Sequence, residues 1–264
     1  MLVSDKRANN FLKELLQAIP KFTKKITAII LFGSHARNEA TIFSDIDILI
    51  VLKTRDKKLL SRLTGYMRFL ELQFNYSSEP STKLDLFLQY LNIATGMFRS
   101  WFICSQNDLL TGNFSKITGT NKIIGKIFVP AKLILDNIKK EGKVIYGNFD
   151  FQTLIPEVKI KNQQCLRSFI LNEILAICAL CITPFSKLSF LYSLEAIKWS
   201  LFQVKSPKKF HSNSNKRLMS ALKLYYHIKV SGIPNPYLGI YSPYLVLKLH
   251  LIAIHQLKKI KSNK

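Results

Sequence analysis

The run from Ala28 to Val51 constrains this chain more than any other stretch. Ala28-Ile29-Ile30-Leu31-Phe32 is an apolar segment of strand length, Gly33-Ser34 breaks it, and an Ile-rich strand from Ile46 to Leu52 follows, with acids at Asp45 and Asp47. Residues i and i+2 of a strand share a face, so Asp45 and Asp47 are expected to point the same way while Ile46, Ile48 and Ile50 point into a core. Asp is a poor strand former, and two like charges side by side are costly unless something neutralises them. A divalent cation is the usual answer. Hard oxygen ligands in a small cluster suit Mg²⁺, which keeps several waters and shares its remaining positions with substrate phosphates.

The Gly33-Ser34 turn supplies what the carboxylates lack. Glycine lets the backbone turn sharply and approach a ligand closely, and the N–H groups of a turn entering a short helix form a nest for phosphate oxygens. A triphosphate cradle is therefore expected to face a metal site.

This arrangement, Phe32-Gly33-Ser34 and then Asp45-Ile46-Asp47-Ile48, resembles the signature of the DNA polymerase beta nucleotidyltransferase superfamily, and in particular its minimal members. The resemblance implies an α/β (α+β) nucleotidyltransferase fold, a mixed sheet with flanking helices. It also implies a basic residue near the phosphates, for which Arg37 is placed, and a third carboxylate on a strand beside the one that carries Asp45 and Asp47. Asp85 is the candidate for that role. It lies in Lys83-Leu84-Asp85-Leu86-Phe87-Leu88, which alternates like a strand, and the segment from Lys57 to about Asn75 has the apolar spacing of a crossover helix leading to it. An unpaired ionised carboxylate among apolar neighbours would be expensive, which implies a metal or an arginine partner.

Around this centre the chain reads in order. Residues 9 to 18 form an amphipathic helix stopped near Pro20, and the strand Ile26 to Phe32 follows. His35, alone in a turn, is read as a polar surface residue and given no role. Residues 91 to 129 read as an elaboration of the sheet edge, with strands expected within Met97 to Cys104 and Ile123 to Val129. A helix opens at Pro130 and runs to Lys140. Glu141-Gly142, a short strand and Tyr146-Gly147 then resemble the close of a minimal nucleotidyltransferase domain, so that the resemblance covers about residues 10 to 147. The catalytic domain is accordingly set at 1–148.

Residues 149–264 change to a helical grammar: Lys159 to Ile182, Ser186 to Val204, Asn215 to Val230 and Ser242 to Ile260 carry apolar periodicity, separated by prolines. An antiparallel helical bundle is expected there. Its aromatic residues, recurring at helix spacing, read as core. Cys178 and Cys181 make a C-x-x-C spacing without a second pair of ligands, and are expected on the buried stripe of a helix.

Charge adds a question about partners. The chain carries a net +23, and the imbalance is greatest after residue 150, where 17 Lys or Arg face 3 acids. That is the footprint of a polyanion-binding surface; but 31 of the 39 basic residues are Lys, a bias that coding composition would also produce. No stretch reaches the apolar length of a membrane span, Met1 to Arg7 lacks the unbroken apolar segment of a leader, and the 4 cysteines fit a reduced, cytoplasmic setting.

The expected function is a Mg²⁺-dependent transfer of a nucleoside monophosphate from a nucleoside triphosphate, first of all ATP, to a hydroxyl acceptor, with release of pyrophosphate. Asp45, Asp47 and Asp85 would hold two metal ions, and Gly33, Ser34 and Arg37 the phosphates. Two readings stand beside it: an antitoxin-like binding partner of a toxin, and an enzyme that adds nucleotides to RNA 3′ ends.

Overall fold

In the computed structural model, residues 3, 5–22, 25–40, 44–76, 83, 86, 100–120, 131–156, 162–182, 192, 196, 197, 200, 243–248 and 251 are described. They belong to two units: residues 1–127 with 131–160, and residues 128–130 with 161–264. The division thus falls after residue 160, about one short helix later than the change of sequence grammar.

The first unit begins with helix α1, Lys6–Phe22, whose Phe11, Leu12, Leu15 and Ile19 are buried. Each such side chain removed from water contributes roughly 1.5–3 kcal/mol. The helix takes in Pro20 and ends two residues later, close to where it was expected to stop. A proline near a helix end removes one backbone hydrogen bond, and the buried apolar face outweighs that loss. Strand β1, Ile26–Phe32, runs into the one-turn helix α2, Gly33–Ala36. Strand β2, Asp47–Leu52, then returns antiparallel to β1. Helix α3, Lys57–Gln73, starts at Asp56, whose side chain accepts the N–H groups of Lys58 and Leu59. Such a cap is worth about 0.5–2 kcal/mol.

The strand parallel to β2 is β3, Trp101–Ser105, which overlaps the expected Met97–Cys104 region and ends one residue beyond it. The two described residues of the expected strand Lys83–Leu88 do not follow it: Lys83 and Leu86 are helical, and Leu86, expected in the core, is 55% exposed. A six-residue alternation of apolar and polar residues does not by itself separate a strand from a short helix. Asp85 itself lies outside the described residues, as does the expected strand Ile123–Val129. Short helices α4, Gln106–Leu110, and α5, Phe114–Thr118, follow β3. Helix α6, Ala131–Glu141, strand β4, Lys143–Tyr146, and the turn α7, Phe151–Leu154, come next.

The sheet order is β3-β2-β1-β4, mixed, with β1 antiparallel to both its neighbours. One face carries Ile29, Leu31, Ile46, Ile48, Ile50 and Leu52 into a core shared with α1 and α3. Ala28, Ile30, Leu49 and Val51, on the other face, are also completely buried, with α6 against β1 and α5 against β3. A strand buried on both faces reads as a near-continuous apolar run, as β1 and β2 do.

In the second unit, α8, Asn162–Ile182, is apolar nearly all round. Its Asn172 side chain donates to the Ser200 hydroxyl at 3.2 Å, which donates to the Ala196 carbonyl at 2.7 Å. Residues 243–248 are helical. Cys178 and Cys181 are exposed, not buried as expected, because the buried stripe of α8 follows Leu175, Ala176 and Ala179. No helix among the described residues is long and apolar enough to cross a membrane.

Candidate active site

The end of β1 and the start of β2 lie side by side, since Phe32 pairs with Asp47 across the antiparallel register. Topology brings the rest of the site to this end of the sheet. The antiparallel return from α2 places Asp45 and Asp47 beside the turn, and the parallel β3 sets Trp101 opposite Ile48.

Gly33 adopts φ +70, a conformation that side-chain-bearing residues rarely take. A Cβ built on it would fall 2.0 Å from Oδ2 of Asp47. The carboxylate of Asp47 therefore lies directly against the backbone of the phosphate turn, a contact that only glycine permits. The turn is closed by the Arg37 N–H on the Gly33 carbonyl at 3.2 Å and the Glu39 N–H on the Ser34 carbonyl at 2.9 Å, and Asn38 leaves it at φ +59. Asp47 is half-buried; Asp45 is exposed between buried Ser44 and Ile46.

The donor set fits Mg²⁺ on its chemistry. Two carboxylates stand at one sheet end, one of them against a turn whose backbone a ligand can approach, and both offer hard oxygen. Among the described residues no group of three or more His, Cys, Asp or Glu side chains forms a metal cage by itself.

Arg37 is placed at the turn and is held there by acids. Its Nε donates to Glu39 at 2.9 Å, and a terminal nitrogen pairs with Glu141 at the end of α6. Burial disfavours its charge, but Glu39 and Glu141 outweigh that and raise its pKa above the usual guanidinium value. Glu141 had no signal in the sequence, because the pair joins residues 104 apart.

His35 is the other residue that sequence reasoning missed. It is 2% exposed, not a surface residue, and both ring nitrogens are buried without a well-aligned hydrogen bond. Burial lowers its pKa; the Ser44 main chain and the carboxylates of Asp5 and Asp45 act in the opposite direction. Behind it Asp5 accepts the Arg7 N–H at 3.0 Å, and the Arg7 guanidinium lies 4.1 Å from the centroid of the Tyr76 ring. Burial pushes the Tyr76 hydroxyl up to about 12.

Comparison with known proteins bears on the family and the fold. A family model described as a nucleotidyltransferase domain matches residues 10–94. Two Methanocaldococcus jannaschii proteins, named as candidate protein adenylyltransferases, are similar to the chain. One is 39% identical over 75 residues, which cover 28% of this chain and 50% of that protein. The other is 37% identical over 82 residues, 30% of this chain and 74% of that protein. The match thus spans half the length of the first relative and about three quarters of the second. Among solved structures, a spectinomycin adenyltransferase from Enterococcus faecialis, crystallised with ATP and spectinomycin, is similar in fold. It has a TM-score of 0.51 at 16% identity, with 91% of this chain and 98% of that one covered. With the turn, the paired acids and the mixed sheet in place, the chain belongs to the nucleotidyltransferase domain family.

Proposed function

We propose that the chain is a Mg²⁺-dependent nucleotidyltransferase that moves a nucleoside monophosphate, AMP from ATP in the first instance, to a hydroxyl acceptor. The observation that carries this reading is the Asp47 carboxylate resting on Gly33 of the phosphate turn, with Asp45 beside it. The names of the relatives favour adenylyl transfer over an antitoxin-like role or RNA 3′-end addition, and make a protein hydroxyl the first acceptor to try.

In the reaction the acceptor oxygen attacks the α-phosphorus, the new O–P bond forms, the bond to the β-phosphate bridging oxygen breaks, and pyrophosphate leaves. Asp45 and Asp47 would hold Mg²⁺, with Asp85 as the third carboxylate, which would take the acceptor proton. A bound ion of this kind neutralises charge on the phosphates. The main-chain N–H groups at Gly33 and Ser34 would bind the outgoing phosphates, and Arg37 would join them by exchanging Glu39 for a phosphate oxygen. Since little covalent chemistry is asked of the protein, its contribution is in-line positioning and fixed charge. The basic helical half would offer a polyanion-binding surface, and the setting would be cytoplasmic, where the triphosphate donor is abundant.

The test is label transfer from each α-³²P nucleoside triphosphate into cell lysate proteins, total RNA and candidate small molecules, with pyrophosphate release followed in parallel. ATP-dependent labelling of a protein band, lost on removal of Mg²⁺, is the expected result. No transfer from any triphosphate to any acceptor overturns the reading.

A further inference from the structure

The polar groups that the proposed chemistry leaves unused are gathered at one place. Asp5, Arg7, His35 and Tyr76 lie at the same sheet end as the phosphate turn, and the charges of Asp5, Arg7 and Asp45 act on both His35 and Tyr76. Chain direction explains the gathering: α1 runs antiparallel to β1 and brings its first residues here, while α3 runs back from the far end of β2 and delivers Tyr76. His35 is the most enclosed of the group, at 2% exposed. An imidazole with both nitrogens buried and poorly bonded costs more than an apolar side chain of similar size in the same space. Such a group calls for a reason beyond packing.

Its place supplies one. His35 sits inside the phosphate turn, one residue after Ser34, and the backbone group near its ring is that of Ser44, one residue before Asp45. Ser44 is itself buried. The imidazole therefore spans from the turn that would hold the phosphates to the segment that carries the carboxylates, two parts of the site that are nine residues or more apart in sequence. We propose that His35 is a positioning residue: through its ring N–H it holds the Ser44 main chain, and so fixes Asp45 and Asp47 against the Gly33-Ser34 turn in a single geometry. A shift of about 1 Å in such a constellation costs on the order of a hundredfold in rate, which is what a buried polar strut at this point would prevent.

Three variants of the full chain test it: His35→Phe, which keeps a flat ring and removes both nitrogens, and His35→Asn and His35→Gln, which place an amide N–H near the Nδ1 and Nε2 positions respectively. Hydrogen–deuterium exchange of the peptide spanning residues 44–48 is read first. His35→Phe should speed it about tenfold while β1 and α3 keep wild-type exchange, and one of the two amide variants should restore it. Turnover is read second. His35→Phe should lower kcat about tenfold or more with the ATP Kd within about threefold of wild type, recovering in the same amide variant. Exchange at 44–48 equal to wild type in His35→Phe overturns the proposal, as does faster exchange spread evenly over the first unit. If His35→Phe fails to fold, the amide pair decides: one must match wild type at 44–48 and the other not, and any other pattern overturns it. The turnover measurement rests on the nucleotidyltransferase reading and the exchange measurement does not, so an inactive wild type would count against that reading alone while exchange still judged His35.

Discussion

At the scale of single residues, Gly33 and Asp47 form one unit. An alanine at 33 would have to hold φ +70 and place its methyl where Oδ2 of Asp47 lies. Gly33→Ala is therefore expected to lose about 1–3 kcal/mol of stability and nearly all triphosphate turnover, with melting temperature and label transfer as the measurements. Asp47→Asn should keep the fold, because the smaller change leaves the packing at Gly33 intact, and should abolish metal-dependent turnover. If it kept near wild-type activity, the carboxylate would not be a metal ligand. Asp85→Asn should instead lower kcat strongly while changing nucleotide Kd little, the mark of a contact made in the transition state. Equal losses in both would make Asp85 a ground-state ligand. The two acids and the turn were legible in the sequence because their chemistry is local: neighbours within a few residues decide it. His35 and Glu141 were not, because the burial of the one and the partner of the other depend on elements far away in the chain.

At the scale of elements, the long periodic segments were read correctly and the short or exceptional ones were not. α1, β1, β2 and α3 follow from apolar spacing sustained over whole elements, whereas the short β4 was expected from the resemblance to the close of a minimal nucleotidyltransferase domain. Lys83–Leu88 did not, since a short alternation suits either a strand or a turn of helix, and the tertiary context chose helix for Lys83 and Leu86. Cys178 and Cys181 face outward on a helix too apolar for its buried stripe to be told from the rest. The junction of β3 and α4 carries a prediction of its own. Asp108 is buried; its Oδ2 accepts the Ser105 N–H at 3.0 Å, the Ser105 hydroxyl at 2.7 Å and Arg55 at 3.1 Å. Burial alone would push its carboxyl up, but the Ser105 hydrogen bonds and Arg55 outweigh that and hold it below the usual value. A depressed folded pKa gives stability that is present above the unfolded carboxyl value, about 4, and is lost as pH falls through the folded value. Asp108→Asn should thus melt well below wild type at pH 7, and the gap should close below about pH 4. A gap that stayed constant down to pH 3 would exclude an ionised Asp108 as its source.

For the whole molecule, charge is the property that the fold does not explain. The chain carries +23, and its last 114 residues hold 17 basic side chains against 3 acids. If that surface binds polyanions, the affinity of the full chain for RNA should fall at least about tenfold between 50 and 200 mM salt, because each neutralised phosphate releases a counterion. Affinity independent of salt, or none at low salt, would return the lysines to composition. Sequence made this imbalance plain but not its purpose, since net charge bears on association and leaves the fold undetermined.

The order β3-β2-β1-β4 also bears on how such a chain is born. The hairpin of β1 and β2, which holds the whole phosphate turn, is complete by Leu52, yet its two flanking strands come from Trp101–Ser105 and Lys143–Tyr146. Until those residues leave the ribosome, this apolar ribbon has two open edges, each a template for pairing with another chain. A chain cut at residue 94, where the family match ends, would keep both edges bare for good. Such a fragment should be recovered in inclusion bodies, while one ending at residue 160 should stay in solution, and nascent chains stalled near residue 100 should be found held by chaperones.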